Sequence, residues 1–245
     1  MTSPMVSTPE ALQRLHLFQL VSPALPVGAF SYSEGLEVLV QQGRMGDGPA
    51  VESWLRAELE RGSVTLEGAA LPGLMADLDI WRWQEEAEED RWSALQRVIS
   101  RDGWLLALRD APDTRAQLRQ MGGSLLSLLA ELGFPLPSGP PGGGTPGLAW
   151  PAAWAWALVA LTVAERPGVE AYLHAWVATQ LSAAVRLVPL GPSEAQRIQF
   201  RLAPVIVARA EDLAGRDPED LWSGGVGASL AQLGHGELYS RLFRS

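Results

Sequence analysis

The stretch SEAQRIQFRLAPVIVARAE, Ser193 to Glu211, decides the fold class. Its second half, PVIVARAE from Pro204, is the best strand candidate in the chain, because it gathers β-branched residues. Its first half, however, leads in with helical spacing. Pro204 is therefore read as a kink within one long helix rather than as the start of a strand. Nowhere else does a run of β-branched residues alternate convincingly with polar ones, so the sequence predicts an all-α protein.

Working outward, helical periodicity dominates. Leu118, Met121, Leu125, Leu128 and Leu132 repeat at three- and four-residue steps, as do Leu173, Val177, Leu181, Ala184 and Val188. Val51, Trp54, Leu55 and Leu59 form a third stripe, and GDGPAVESWL starts its helix with Pro49 near the first helical position. LAWPAAWAWALVALTVA, Leu148 to Ala164, has 17 residues with Thr162 as its only polar member. No basic residue anchors its N-terminal flank, and Pro151 suits a first helical turn, so a buried core helix is expected and not a membrane span. LGFPLPSGPPGGGTPG, Leu132 to Gly147, reads as a surface loop (134–147) inside one helical domain spanning 1–245. The first nine residues carry no basic region followed by an apolar run, and are expected to be mobile. The acidic run Glu85 to Asp90 reads as a solvated helix face.

Composition narrows the chemistry. Of 245 residues, 47% are hydrophobic, enough for a real core, and the formal net charge is -9. That balance disfavours nucleic-acid binding, whose phosphates require a basic face. All 19 basic residues are arginine and there is no cysteine, which removes Schiff-base lysines, P-loop lysines, thiol catalysis and zinc–cysteine sites. His16, His174 and His235 are scattered and form no i,i+4 pair with a carboxylate partner. GGVGAS, Gly224 to Ser229, lacks the lysine and the preceding strand of a phosphate loop, and reads as an interhelical turn. No catalytic set, metal set or cofactor site emerges.

Two segments carry more than packing requires. In SPALPVGAFSYSEGLE, Ser22 to Glu37, Pro23 and Pro26 fix φ and Gly28 permits a turn. Ser31-Tyr32-Ser33-Glu34 fits a capping box, with Gly35 inside the first turns of the following helix, where it permits close approach of another backbone. Phe30 and Tyr32 stand among these residues, and the segment reads either as a tight helix–loop–helix corner or as part of a binding surface. The second segment is the end of the chain, ELYSRLFRS, 237–245. It sets Tyr239, Leu242 and Phe243 beside Ser240, Arg241 and Arg244, and tyrosine and arginine dominate binding hot spots. A final element docked on its own core and a partner-binding tail both fit.

Together, QLVSPALPVGAFSYSEGLE, RQMGGSLLSLLAEL (Arg119 to Leu132), SAAVRLVPLG (Ser182 to Gly191) and the terminal YSRLFRS resemble, in order, the blocks of the UreF family of urease accessory proteins. The resemblance runs from about Leu12 to Ser245. Pro192 and Ala195 stand where the family usually has Gln and Gly, and Gly234 where an arginine is common. The resemblance implies a non-catalytic, cytoplasmic, all-α helical bundle that dimerises, needs no cofactor and binds the accessory protein UreD (UreH in some organisms). With that partner it recruits the GTPase UreG and acts on apo-urease to install nickel. It also points to Ser22, Pro23, Pro26, Gly28, Phe30, Ser31, Tyr32, Ser33, Glu34, Gly35 and Glu37, with the tail 239–244, as partner-binding residues. Against this stand a general helical adaptor, a nickel carrier, and a factor that stimulates a GTPase through Arg197 or Arg201.

Overall fold

The computed structural model describes residues 9–83, 85–140, 142 and 144–244. Apart from Pro9, which opens the first helix, the segment expected to be mobile lies outside the described residues. Ten α-helices and three short 3-10 turns make up the described secondary structure, with no strand among these residues. In chain order they are α1 (Pro9–Leu20), α2 (Leu36–Gln41), α3 (Gly48–Arg61), α4 (Ser63–Arg82), α5 (Glu88–Ala107), α6 (Pro112–Glu131), α7 (Trp150–Ala160), α8 (Glu165–Leu187), α9 (Pro192–Leu213) and α10 (Val226–Gly234). The deciding stretch is helical throughout: α9 continues through Pro204, and Ile198, Leu202, Ile206, Ala210 and Leu213 bury one face.

Two helices define the interior. α7 buries every residue from Pro151 to Val159, and α4 buries residues on all its sides, from Val64 through Trp81. α7 has no polar face to give to solvent and α4 gives it only a narrow side around Ala76 and Asp79, so other helices must cover both. α4 packs against α3, α5, α7, α8 and α9, while α6 and α4 cover α7. The indoles of α7 keep their hydrogen bonds inside this core: Trp154 Nε1 donates to the Gly168 carbonyl at 3.3 Å and Trp156 Nε1 to the Phe134 carbonyl at 3.1 Å. Among the described residues no helix is long and apolar enough to cross a membrane.

Caps follow the sequence in some places and depart from it in others. Asp47 caps α3 by accepting from Ala50 N at 2.9 Å, and Pro49 takes the first turn as expected. In α6 the buried stripe is Leu118, Met121, Leu125 and Leu129, with Leu128 half-buried and the helix ending before the exposed Leu132. Alternating steps of three and four average 3.5 residues and drift off a 3.6-residue helix. The described part of 134–147 is non-helical. Glu85 and Glu86 are exposed ahead of α5, and Glu88, Glu89 and Asp90 form its first turn, where the helix dipole favours negative charge.

α6 and α7 cross at Gly122. A Cβ there would run into the Leu148 carbonyl oxygen and lie 2.6 Å from Ala149 C. Gly123 beside it is exposed, with nothing within 4 Å of a Cβ. Gly122→Ala should therefore destabilise by about 2 kcal/mol or more, because backbone rather than a mobile side chain must give way. Gly123→Ala should stabilise by up to about 1 kcal/mol through helix propensity alone. Thermal unfolding of the two variants checks the opposite signs.

Candidate functional site

After α1 the chain turns at Ser22, whose carbonyl accepts from Leu25 N at 3.0 Å and whose hydroxyl accepts from Ala24 N at 3.2 Å. Pro23, Pro26 and Phe30 are exposed, and Gly28 adopts φ 74°, opening a 3-10 turn over Ala29–Ser31. The chain then dives inward. Tyr32 and Ser33 are buried, and the Tyr32 hydroxyl donates to Gln120 Oε1 on α6.

The expected capping box does not form. Ser31 lies in the 3-10 turn, and Glu34, at φ 49°, turns its carboxylate into the protein instead of back toward a helix start. It accepts from Gln117 Nε2 of α6 at 3.2 Å and from Trp176 Nε1 of α8 at 3.1 Å. Two tertiary donors replace the local cap. Gly35 is the residue just before α2 rather than one within it, at φ 88°, and a Cβ there would sit 2.9 Å from Gln232 N and 3.0 Å from Ala231 Cβ. The close backbone approach expected of this glycine is thus made by α10. Gln232 Nε2 adds a 3.4 Å bond to the Glu34 carbonyl, and Thr114 Oγ1 donates to Gln232 Oε1 at 3.1 Å.

The tail reaches the same place from the other side. Phe243 is buried, under the Arg186 guanidinium at 4.5 Å, and Arg186 Nη1 donates to the Phe30 carbonyl at 3.3 Å. Leu242 N and Phe243 N donate to the buried Glu37 carboxylate at 2.6 and 3.1 Å, and Arg244 N donates to the Ser31 carbonyl at 2.8 Å. The two segments singled out in the sequence, some two hundred residues apart, form one face. Tyr239, Ser240, Arg241, Leu242 and Arg244 are exposed on it, with Phe30, Pro23 and Pro26 beside the turn. Tyr32, Ser33, Gly35, Glu37 and Phe243 support it from inside.

Sequence reading missed several of its members. Gln117, Gln120, Trp176, Arg186, Gln232 and His235 hold the segment, and each looks like an ordinary helix residue until the helices are assembled. α10 also turns Val226, Leu230 and Leu233 outward, with Trp222 just before it at 92% exposure. Their spacing of four and three residues was the available signal. Arg197 and Arg201, the two cations weighed for phosphate chemistry, are held by carboxylates: Arg197 by Glu194 at 2.9 Å, and Arg201 by Glu52 and Glu194 at 2.8 and 2.9 Å. No group of three or more His, Asp or Glu among the described residues is arranged to hold a metal ion.

Behind the face lies a cavity of about 1060 Å³ that reaches Glu34, Glu67, Tyr172 and Trp176. Arg109 donates to Glu67 and to the Ser63 hydroxyl, and the Tyr172 hydroxyl donates to Glu67 at 2.7 Å. Loss of hydration pushes the Glu34 carboxyl above its ordinary range, an effect that Arg109 offsets and Glu67 reinforces. Burial, reinforced by Glu34, pushes Glu58 on α3 up to about 7. Burial also lifts Asp102 to about 6, although it accepts from Ala149 N at 3.0 Å.

A carboxyl whose folded pKa is raised stabilises most when protonated, and that stability is lost as pH rises from the unfolded value through the folded one. For Glu58 the window runs from 4.5 to about 7, equivalent to about 3 kcal/mol between the protonation states. Glu58→Gln should therefore raise the unfolding midpoint clearly at pH 8 and barely at pH 4.5, as measured by thermal denaturation across that range.

Comparison with known proteins addresses the whole chain. The UreF family model matches residues 46–203. A urease accessory protein UreF of Prochlorococcus marinus (strain MIT 9215) is 35% identical over 96% of this chain and 100% of its own length. Those of Alkalilimnicola ehrlichii and Microcystis aeruginosa are 36% and 37% identical, over 97% and 94% of this chain and 98% and 97% of their own lengths. The family model stops short of both the opening turn and the tail, whereas these relatives align across nearly the full length. With its all-helical architecture and its family blocks in order, the chain belongs to the UreF family of urease accessory proteins.

Proposed function

We propose that this protein is a non-catalytic scaffold of urease maturation that works in the cytoplasm. It binds UreD/UreH through the face built from the opening turn, the tail and α10, recruits the GTPase UreG, and assists nickel insertion into apo-urease. Nickel is cargo in this reading, passed on by the assembly. The homodimer implied by the family belongs to the same proposal.

One observation carries the docking role. Leu242 is held outward, 52% exposed, on a backbone tied through its own amide and that of Phe243 to the buried Glu37 carboxylate, with Arg241 and the fully exposed Tyr239 just before it. Ordering such side chains in advance lowers the entropic cost of binding them. The exposed apolar stripe of α10, Val226, Leu230 and Leu233, adds apolar area of the kind that marks protein–protein contact sites. The arginines weighed for GTPase stimulation are already ion-paired, so no observation favours that alternative.

Tyr239→Ala and Leu242→Ala should each weaken binding to purified UreD/UreH by about tenfold, about 1.4 kcal/mol, without moving the unfolding midpoint. Removing residues 239–245 should abolish co-purification. Phe243→Ala should lower stability as well as affinity, by about 3 kcal/mol in stability, because that ring lies in the core. Calorimetric binding and thermal denaturation separate these outcomes. Unchanged affinity in both exposed variants would exclude the tail from the interface.

A further inference from the structure

We propose that Glu37 is the positioning residue of this face: its carboxylate sets the register of the C-terminal tail and so decides which tail side chains a partner meets. The proposal rests on the docking reading above. Glu37 lies in the first turn of α2 and is 3% exposed. Its two oxygens each take the amide of a consecutive residue, Oε1 from Leu242 at 2.6 Å and Oε2 from Phe243 at 3.1 Å. Two consecutive backbone amides thus share one buried side chain as their acceptor, and neither is left without a partner. His235, itself fully buried, brings Nε2 to 3.4 Å of the same carboxylate.

This arrangement admits one register. With both amides on Glu37, Phe243 points inward beneath Arg186 and Leu242 points outward. A shift of one residue would bring Leu242 or Arg244 to the apolar slot that Phe243 fills and withdraw Leu242 from the surface. The remaining ties each hold one residue singly: Gln41 Nε2 donates to the Ser240 carbonyl at 3.2 Å, Arg241 Nη2 to the Gly236 carbonyl at 3.3 Å, and Arg244 N to the Ser31 carbonyl at 2.8 Å. A glutamine at position 37 keeps the shape but presents one oxygen and one NH2 group, so one of the two amides loses its acceptor.

The test uses the full chain. In the wild-type protein, hydrogen exchange should show the Leu242 and Phe243 amides protected relative to those of Tyr239 and Ser240. In Glu37→Gln, trypsin should cleave after Arg241 at least about tenfold faster, read by the mass lost from the C-terminus, with the helical circular dichroism retained. Affinity for purified UreD/UreH should fall at least about tenfold. Unprotected wild-type amides, or a tail no looser in Glu37→Gln, would overturn the proposal alone. A looser tail with unchanged affinity would overturn the docking reading and the proposal with it. Should the variant lose its helical signal, the wild-type exchange decides: protection of both amides supports the anchor and coil-like rates refute it.

Discussion

A helix that is apolar on every side cannot rest on a surface; it has to be surrounded. α7 imposes that constraint on the whole protein, and α4, buried along most of its length, adds to it. Covering both requires α3, α5, α6, α8 and α9, and the crossing of α6 over the start of α7 requires a glycine because backbone meets backbone there. Fully burying large side chains such as Leu158 and Leu71 contributes about 1.5–3 kcal/mol each, which favours outer helices arranged to cover the inner ones.

On that frame the opening turn behaves as a keystone between helices. Glu34 reaches α6 and α8, Gly35 lets α10 approach, and Glu37 holds the tail. Glu34 keeps a left-handed backbone conformation that costs a non-glycine residue about 1 kcal/mol or more, and its two tertiary hydrogen bonds hold it there. In the polar interior beneath, Arg109 lies between Glu67 and the Ser63 hydroxyl. The corner therefore presents exposed aromatic and cationic side chains on one side and a hydrogen-bonded polar interior on the other.

Much of the helical architecture was legible because its signals are local. Asp47 and Pro49 announced α3, and the alanine-rich run around Trp154 announced a buried helix. The α9 stretch was read as helix in spite of its β-branched run and Pro204, and it is helix. The capping box failed for a physical reason: the Glu34 carboxylate is taken by tertiary donors that only exist once α6 and α8 are in place. Gly35 was read correctly as a point of close approach but placed one turn too deep in the helix.

By itself the sequence determined the helical fold class, the buried character of the Trp150–Ala160 run, the absence of thiol and lysine chemistry, and the two segments that stand out from their surroundings. Periodicity, composition and backbone-restricting residues act over a few residues, and a linear reading captures them. Only the tertiary structure decided that the two segments are one face, that Phe243 and Tyr32 point in while Tyr239 and Phe30 point out, and that Glu37 joins them. Those outcomes depend on which groups meet across some two hundred residues of chain, and a buried carboxylate finds its amides only after the helices between them have packed.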